Sequence, residues 1–221
     1  MSVSSRTKRV AILISGRGSN MVSLIEAAKA PGYPAEIALV LSNRPEAAGL
    51  ATAERFGIPA RAIDHKAFAD RESFDAAMQA ELVDGAIDLV CCAGFMRVLT
   101  PGFVEAWAGR MLNIHPSLLP LFRGTHTHRR ALEAGMRLHG CTVHYVVPEL
   151  DAGPIVAQAA VPVLPDDDCA KLAARVIVQE HRLYPAALAL VASGRAWLQD
   201  ARVRFSADVS AADGALLSLS P

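Results

Sequence analysis

The segment VAILISGRGSN (residues 10–20) decides how the rest of the chain is read. Val10–Ser15 is an apolar β run that stops at Gly16. Ser19–Ala30 follows as a helix with apolar Val22, Leu24, Ile25 and Ala28. A strand that passes through a glycine turn straight into a helix is the opening unit of a parallel α/β sheet.

The alternation continues outward. Ala35–Ser42 reads as a strand and Pro45–Phe56 as a helix stopped at Gly57. Ile58–Ile63 reads as a short strand, and Arg71–Val83 as a helix ahead of Gly85. Ile87–Ala93 is a near-continuous apolar strand, Pro101 introduces a helix over Gly102–Ala108, and Met111–His115 is a strand again. Such strands are apolar on both faces, as a sheet covered by helices requires. The prediction for residues 9–115 is a doubly wound, mostly parallel, Rossmann-like α/β sheet with right-handed crossovers.

Beyond Pro120 the rhythm changes. Leu118–Thr127 reads as a loop and His128–Glu133 as a helix ended by Gly135. Thr142–Val147 and Pro154–Val163 read as strands joined through Pro148–Gly153, an antiparallel extension of the sheet. Asp166–Asp168 caps a long helix from Cys169 to Ala192, with a kink or break expected at Pro185. Residues 196–221 hold at most one hairpin, and the last dozen read as frayed.

Composition narrows the function. Lys plus Arg and Asp plus Glu each number 22, so the formal net charge is zero. That balance argues against a broad basic surface for nucleic acid or anionic lipid. The longest polar-free run, Leu183–Ala192, is far below the roughly 18 residues that span a bilayer. Val10–Ile14 is shorter than the about 7–15 apolar residues of a signal sequence. Cys91, Cys92, Cys141 and Cys169 form no C-x-x-C pair and read as small apolar residues of a reducing compartment. The expectation is a cytoplasmic protein with small-molecule substrates, without nucleic-acid or membrane partners, and either monomeric or homodimeric.

Gly16-Arg17-Gly18-Ser19-Asn20 between strand and helix is a phosphate-cradle arrangement. Glycines let main-chain N–H groups approach an anion, and the helix start adds its dipole. Ser19 or Asn20 serves as the expected N-cap. A dinucleotide fingerprint needs a third glycine where Met21 stands, and an acid at the end of the second strand, which here closes in Ser42-Asn43. A phosphomonoester is the better fit, and a ligand-free tight turn fits the same residues.

The second cluster is Asn113-Ile114-His115-Pro116, at the carboxyl end of a predicted strand, where ligands of doubly wound sheets bind. Asn113 and His115 are two apart and leave one face. An amide donor beside an imidazole suits charge developing on a carbonyl oxygen. Asp151, in Glu149-Leu150-Asp151-Ala152-Gly153-Pro154, is a candidate carboxylate partner. His126-Thr127-His128 lacks a ligand set for a metal. His65, His139 and His181 have no partner pattern, and a surface or capping role suits them. Gly94–Leu99 reads as an apolar loop that could wall a pocket.

At these residues the chain resembles the phosphoribosylglycinamide formyltransferase family. The resemblance is carried by LISGRGSN (13–20), AGFMRVLTPGFV (93–104), GRMLNIHPSLLPLFRG (109–124), THTHRRAL (125–132), HGCTVHYVVPELDAGPI (139–155) and QEHRLYP (179–185). The pattern departs at Ala152, where a second glycine is common. The resemblance implies formyl transfer from 10-formyltetrahydrofolate, as co-substrate, to the amine of a glycinamide ribonucleotide in purine synthesis, with no metal. It implies Asn113, His115 and Asp151 as the catalytic trio. It implies Gly18, Ser19 and Asn20 at the substrate phosphate and Glu180 at the ribose. Arg71, Met96, Arg97, Val98, Leu99, Asn113, Val147, Pro148, Glu149, Leu150 and Asp151 would line the folate pocket. One domain is expected over residues 1–195, with the phosphate turn in 9–115 and the folate side in 116–195, followed by a tail over 196–221.

Two relatives of that family, formyltetrahydrofolate deformylase and methionyl-tRNA formyltransferase, carry an extra N-terminal or C-terminal domain. Eight residues before the first strand and a short tail make both domains unexpected here; because the deformylase shares the N-x-H and D-x-G-P elements, a deformylase-like hydrolase is kept as the alternative reading.

Overall fold

The computed structural model describes residues 6–209. Its centre is a seven-stranded sheet. In chain order the elements are β1 (Lys8–Ile14), α1 (Ser19–Ala28), β2 (Ala35–Ser42), α2 (Ala48–Arg55), β3 (Ala60–Ala62), α3 (Arg71–Asp84) and β4 (Leu89–Cys92). They continue as α4 (Pro101–Ala106), β5 (Met111–His115), α5 (Thr127–Glu133), β6 (Leu138–Tyr145), β7 (Ile155–Pro162) and α6 (Cys169–Ala192). A hairpin of β8 (Ala196–Gln199) and β9 (Arg202–Phe205) pairs antiparallel and ends the described chain. The strand order is β3-β2-β1-β4-β5-β6-β7. The first five strands pair in parallel, and β6 and β7 add antiparallel, as the alternating sequence predicts.

Alternation along the strands splits the core into two layers. Val10, Ile12 and Ile14 of β1 face one way, with Leu24 and Ile25 of α1 and with Leu172, Val176, Tyr184 and Leu188 of α6. Ala11 and Leu13 face the other way, toward Phe74, Met78 and Leu82 of α3 and Phe103 and Trp107 beside α4. Burying both strand faces under helices makes β1 and β4 solidly apolar and holds their carboxyl ends in register.

Three readings of the sequence are revised. Strand β6 begins at Leu138, ahead of the predicted Thr142, and passes through Gly140. A Cβ at Gly140 would run into the main-chain oxygen of Ala159 on β7, so this glycine marks close strand approach, not a turn. Helix α6 continues unbroken through Pro185. Its buried stripe packs on the sheet along its length, and tertiary packing outweighs one missing amide. Tyr33 Oη also donates to the Pro185 carbonyl at 2.7 Å. The N-cap of α1 is Gly18, in the left-handed region at φ 72°, and neither Ser19 nor Asn20. The frayed end expected over the last dozen residues lies outside the described chain.

Candidate active site

In the order β3-β2-β1-β4-β5 the chain winds outward in both directions from the β1–β4 pair. Ligands of such sheets sit at the carboxyl ends of the strands at this switch point. Two loops emerge there: the glycine turn after β1 and residues 94–99 after β4.

With Gly18 as cap, Ser19 and Asn20 become the first helical residues, and the first helical hydrogen bond runs from Val22 N to Gly18 O at 3.0 Å. The main-chain amides of Ser19 and Asn20 thus belong to the unpaired first turn, the part of a helix that receives anions. The Asn20 side chain turns inward, and its Nδ2 donates to Glu180 Oε2 at 2.6 Å. Glu180 arrives on α6, which packs against α1. Burial pushes its carboxyl pKa upward, against the opposing hydrogen bond from Asn20. Arg17, Ser19, Asn20, Met96, His128 and Glu180 border one cavity of about 660 Å³.

Across β5 lies a second cavity, bordered by Asn113, His144, Arg97, Val98, Leu99, Val147, Pro148, Leu150 and Asp151. Its enclosed space is only about 110 Å³, below the roughly 300 Å³ of ordinary ligand pockets. Val98 and Leu150 on its border are both more than half exposed.

Asn113 and Asp151 border this smaller cavity, and His115 pairs with Asp151. His115 Nδ1 lies 3.4 Å from Asp151 Oδ2, and both side chains are almost fully buried. The other ring nitrogen, Nε2, donates to the Phe122 carbonyl at 3.0 Å. Gly124 N–H donates to Asp151 Oδ2 at 2.8 Å, so one loop binds both members of the pair. Both imidazole nitrogens are engaged by the protein. Proton exchange with a bound molecule through Nε2 therefore requires the Phe122 carbonyl to withdraw.

Asn113 is placed by His144, its partner in the β5–β6 register. His144 Nδ1 faces the Tyr145 carbonyl at 2.9 Å and so carries the proton. Nε2 is then the acceptor for Asn113 Nδ2 at 3.1 Å. Burial lowers the pKa of His144 and keeps this tautomer neutral. The second N–H of the Asn113 amide stays free to donate into the cavity.

The Asp151 turn carries its steric demands on either side of Ala152. Asp151 has φ 49°, a region that Asp tolerates better than most residues. A Cβ at Gly153 would overlap the Tyr145 carbonyl oxygen. Ala152 is not among the positive-φ residues, so a side chain there meets no backbone penalty.

The remaining candidates separate. Arg71 is the exposed first residue of α3 and borders neither cavity. Glu149 points outward to Arg123, at 2.5 Å. Met96 belongs to the wall of the larger cavity, whereas Arg97, Val98 and Leu99 belong to the smaller one. Sequence reasoning missed His144, His128 and His181, which border a cavity, whereas Phe95 and Arg17 fall in the loop and the glycine turn it had singled out. Only the cross-strand pairing of His144 with Asn113 marks it, and that pairing is invisible before the sheet is built. Among the described residues no three His, Cys, Asp or Glu side chains gather as a metal site. No helix of these residues is long and apolar enough to cross a membrane.

The family profile described as formyl transferase matches residues 8–188, and the chain belongs to that family. It is 44% identical over 201 residues to the phosphoribosylglycinamide formyltransferase of Escherichia coli (strain K12), covering 88% of this chain and 95% of that protein. It is 53% identical over 186 residues to the human trifunctional purine biosynthetic protein adenosine-3, covering 84% of this chain but only 18% of that protein. The chain thus spans under a fifth of the length of its trifunctional relatives. A glycinamide ribonucleotide transformylase from Symbiobacterium toebii superposes with a TM-score of 0.87 at 43% identity, over 90% of this chain and 94% of that one. A phosphoribosylglycinamide formyltransferase from Brucella melitensis superposes with a TM-score of 0.82 at 56% identity, over 85% and 96%.

Proposed function

We propose that the protein transfers a formyl group from 10-formyltetrahydrofolate to the amine of glycinamide ribonucleotide, a step of purine synthesis. The observation that carries this reading is the pairing of His115 with Asp151, which borders the smaller cavity together with Asn113, while the anion-receiving helix start borders the larger one. The ribonucleotide takes the larger cavity, with its phosphate at the amides of Gly18, Ser19 and Asn20 and its ribose toward Glu180. The folate takes the smaller cavity, against Arg97, Val98, Leu99 and the 147–151 turn. A cytoplasmic location accords with the free thiols of Cys91, Cys92, Cys141 and Cys169.

The chemistry follows from the geometry. The glycinamide amine attacks the formyl carbon, and negative charge grows on the formyl oxygen. The free N–H of Asn113 donates to that oxygen, its other N–H being anchored on His144. Once the Phe122 carbonyl withdraws from Nε2, His115 passes the proton lost by the attacking amine to the leaving folate nitrogen, and the Asp151 carboxylate stabilises the imidazolium in transit. The tetrahedral adduct holds both C–N bonds, and as the oxyanion reforms the carbonyl the C–N bond to the protonated folate nitrogen breaks, so no covalent enzyme intermediate is needed. Holding the two reactants in adjoining cavities supplies the entropic part of the acceleration.

The deciding experiment mixes the protein with 10-formyltetrahydrofolate and follows tetrahydrofolate release with and without glycinamide ribonucleotide. Release that depends on the ribonucleotide supports the transferase. Release without it supports a deformylase-like hydrolase.

A further inference from the structure

The two cavities share one wall, and a single hydroxyl fixes it. Residues 94–98 follow β4 as an open loop. Gly94 and Met96 border the larger cavity, whereas Phe95, Arg97 and Val98 border the smaller one. Successive residues thus face opposite ligands, and a shift of this backbone changes both cavities at once.

Besides a main-chain bond from Ser15 N to Gly94 O at 3.2 Å, three side chains pin the loop. Arg97 lies over the Phe74 ring at 4.8 Å, and Thr100 N–H donates to Asp75 Oδ2 at 2.7 Å. Both pins sit on the side of α3. The third is the last residue before the glycine turn. Ser15 Oγ accepts the Met96 N–H at 2.7 Å and donates to Asn43 Oδ1 at 2.6 Å. Ser15 and Asn43 are buried, at 6% and 2% exposure. Because Asn43 takes the hydroxyl proton, a lone pair of Oγ is aimed at the Met96 amide. Asn43 is itself tied at its main-chain oxygen to His65 Nδ1 at 2.7 Å. One hydroxyl therefore joins the ends of β1 and β2 to the midpoint of the shared wall.

We propose that Ser15, oriented by Asn43, is a positioning residue that couples the two cavities, so that a ligand in one sets the wall against which the other binds. The inference rests on the assignment of ribonucleotide and folate made above. Coupling of this kind is reciprocal: each ligand raises the affinity of the other by the same factor. The hydroxyl touches neither ligand and acts only through the Met96 amide. Without it the Met96 N–H loses its fixed partner, and residues 95–97 are held only by the α3 pins and by the main-chain bond from Ser15 N to Gly94 O at 3.2 Å.

The test measures the dissociation constant of tetrahydrofolate by titration calorimetry, alone and with saturating glycinamide ribonucleotide. In the unaltered protein the ratio of the two constants is expected to be about fivefold or more. In Ser15→Ala the ratio falls to within about twofold of unity, while the constant for tetrahydrofolate alone changes less than the ratio does. Ser15→Thr keeps the hydroxyl and restores the ratio. If Ser15→Ala does not fold, Asn43→Ser withdraws the acceptor while leaving Ser15 in place, and carries the same expectation. A role confined to stability lowers the melting temperature and leaves the ratio intact, which overturns the proposal. A ratio of one in the unaltered protein, with both ligands bound, overturns it as well. If the unaltered protein binds neither ligand and transfers no formyl group, the functional assignment fails and the inference fails with it. Binding and transfer with an unchanged ratio in Ser15→Ala removes the coupling alone.

Discussion

The His144 imidazole holds the Asn113 carboxamide more closely than the Asp151 carboxylate: its Nε2 lies 3.1 Å from Asn113 Nδ2 and 3.8 Å from Asp151 Oδ1. A neutral ring with its proton on Nδ1 explains the choice, since Nε2 then has a lone pair to offer and no charge to pair. His144 thereby fixes which N–H of Asn113 is free.

His144→Leu removes that acceptor and frees the amide to rotate. The expected outcome is a fall in kcat of about 10–100-fold with a small change in KM for the folate, because misplacement of a reacting group acts mainly on the chemical step. Steady-state kinetics against both substrates checks it. An unchanged kcat would show that Asn113 holds its orientation without His144.

Asn113→Ala removes the oxyanion donor itself, at an expected cost of about 100–1000-fold in kcat. His115→Ala is expected to lose about 100–10,000-fold while tetrahydrofolate binding stays near its original strength. Asp151→Asn leaves the ring without its carboxylate and alters the pH–rate profile. The same profile in Asp151→Asn and the unaltered protein would remove Asp151 from the proton path.

Ser19→Glu places a negative charge at the start of α1, beside the unpaired amides. A phosphate is repelled there, so KM for the ribonucleotide rises while folate affinity holds. Equal losses for both ligands point to damage to the fold.

Acid stability carries a separate prediction. His139 is 1% exposed, and burial together with neighbouring His128 pushes its pKa from 6.5 down to about 4. The unfolded chain therefore binds a proton more readily than the folded one. The stability contributed by the neutral ring is complete above about pH 6.5 and is lost as pH falls toward about 4. The loss amounts to about 3 kcal/mol. Denaturant unfolding across this range should show that slope, and His139→Gln should flatten it.

The sheet was legible because apolar runs such as Ile12-Leu13-Ile14 and Leu89-Val90-Cys91 alternate with helix patterns along the first half of the chain. The Asn113–His115 pair was legible from period-two spacing at a strand end. Where the sequence misled, long-range contact decided. Strand β6 was begun too late, at Thr142, because nothing local shows that Gly140 lies against the Ala159 carbonyl on the next strand. Pro185 looked like a break but lies in a helix held by its buried face. His144 and Ser15 carried no local signal, since their partners Asn113 and Met96 lie 31 and 81 residues away.

The turn that presents Asp151 leaves unequal freedom to its neighbours. Position 152 meets no backbone penalty and can drift, as the alanine found there illustrates. Position 153 abuts the Tyr145 carbonyl and admits no side chain. A mutagenic library across this turn should recover many functional replacements at 152 and almost none at 153. Sequence variation here thus records where the peptide backbone is crowded, independently of which atoms react.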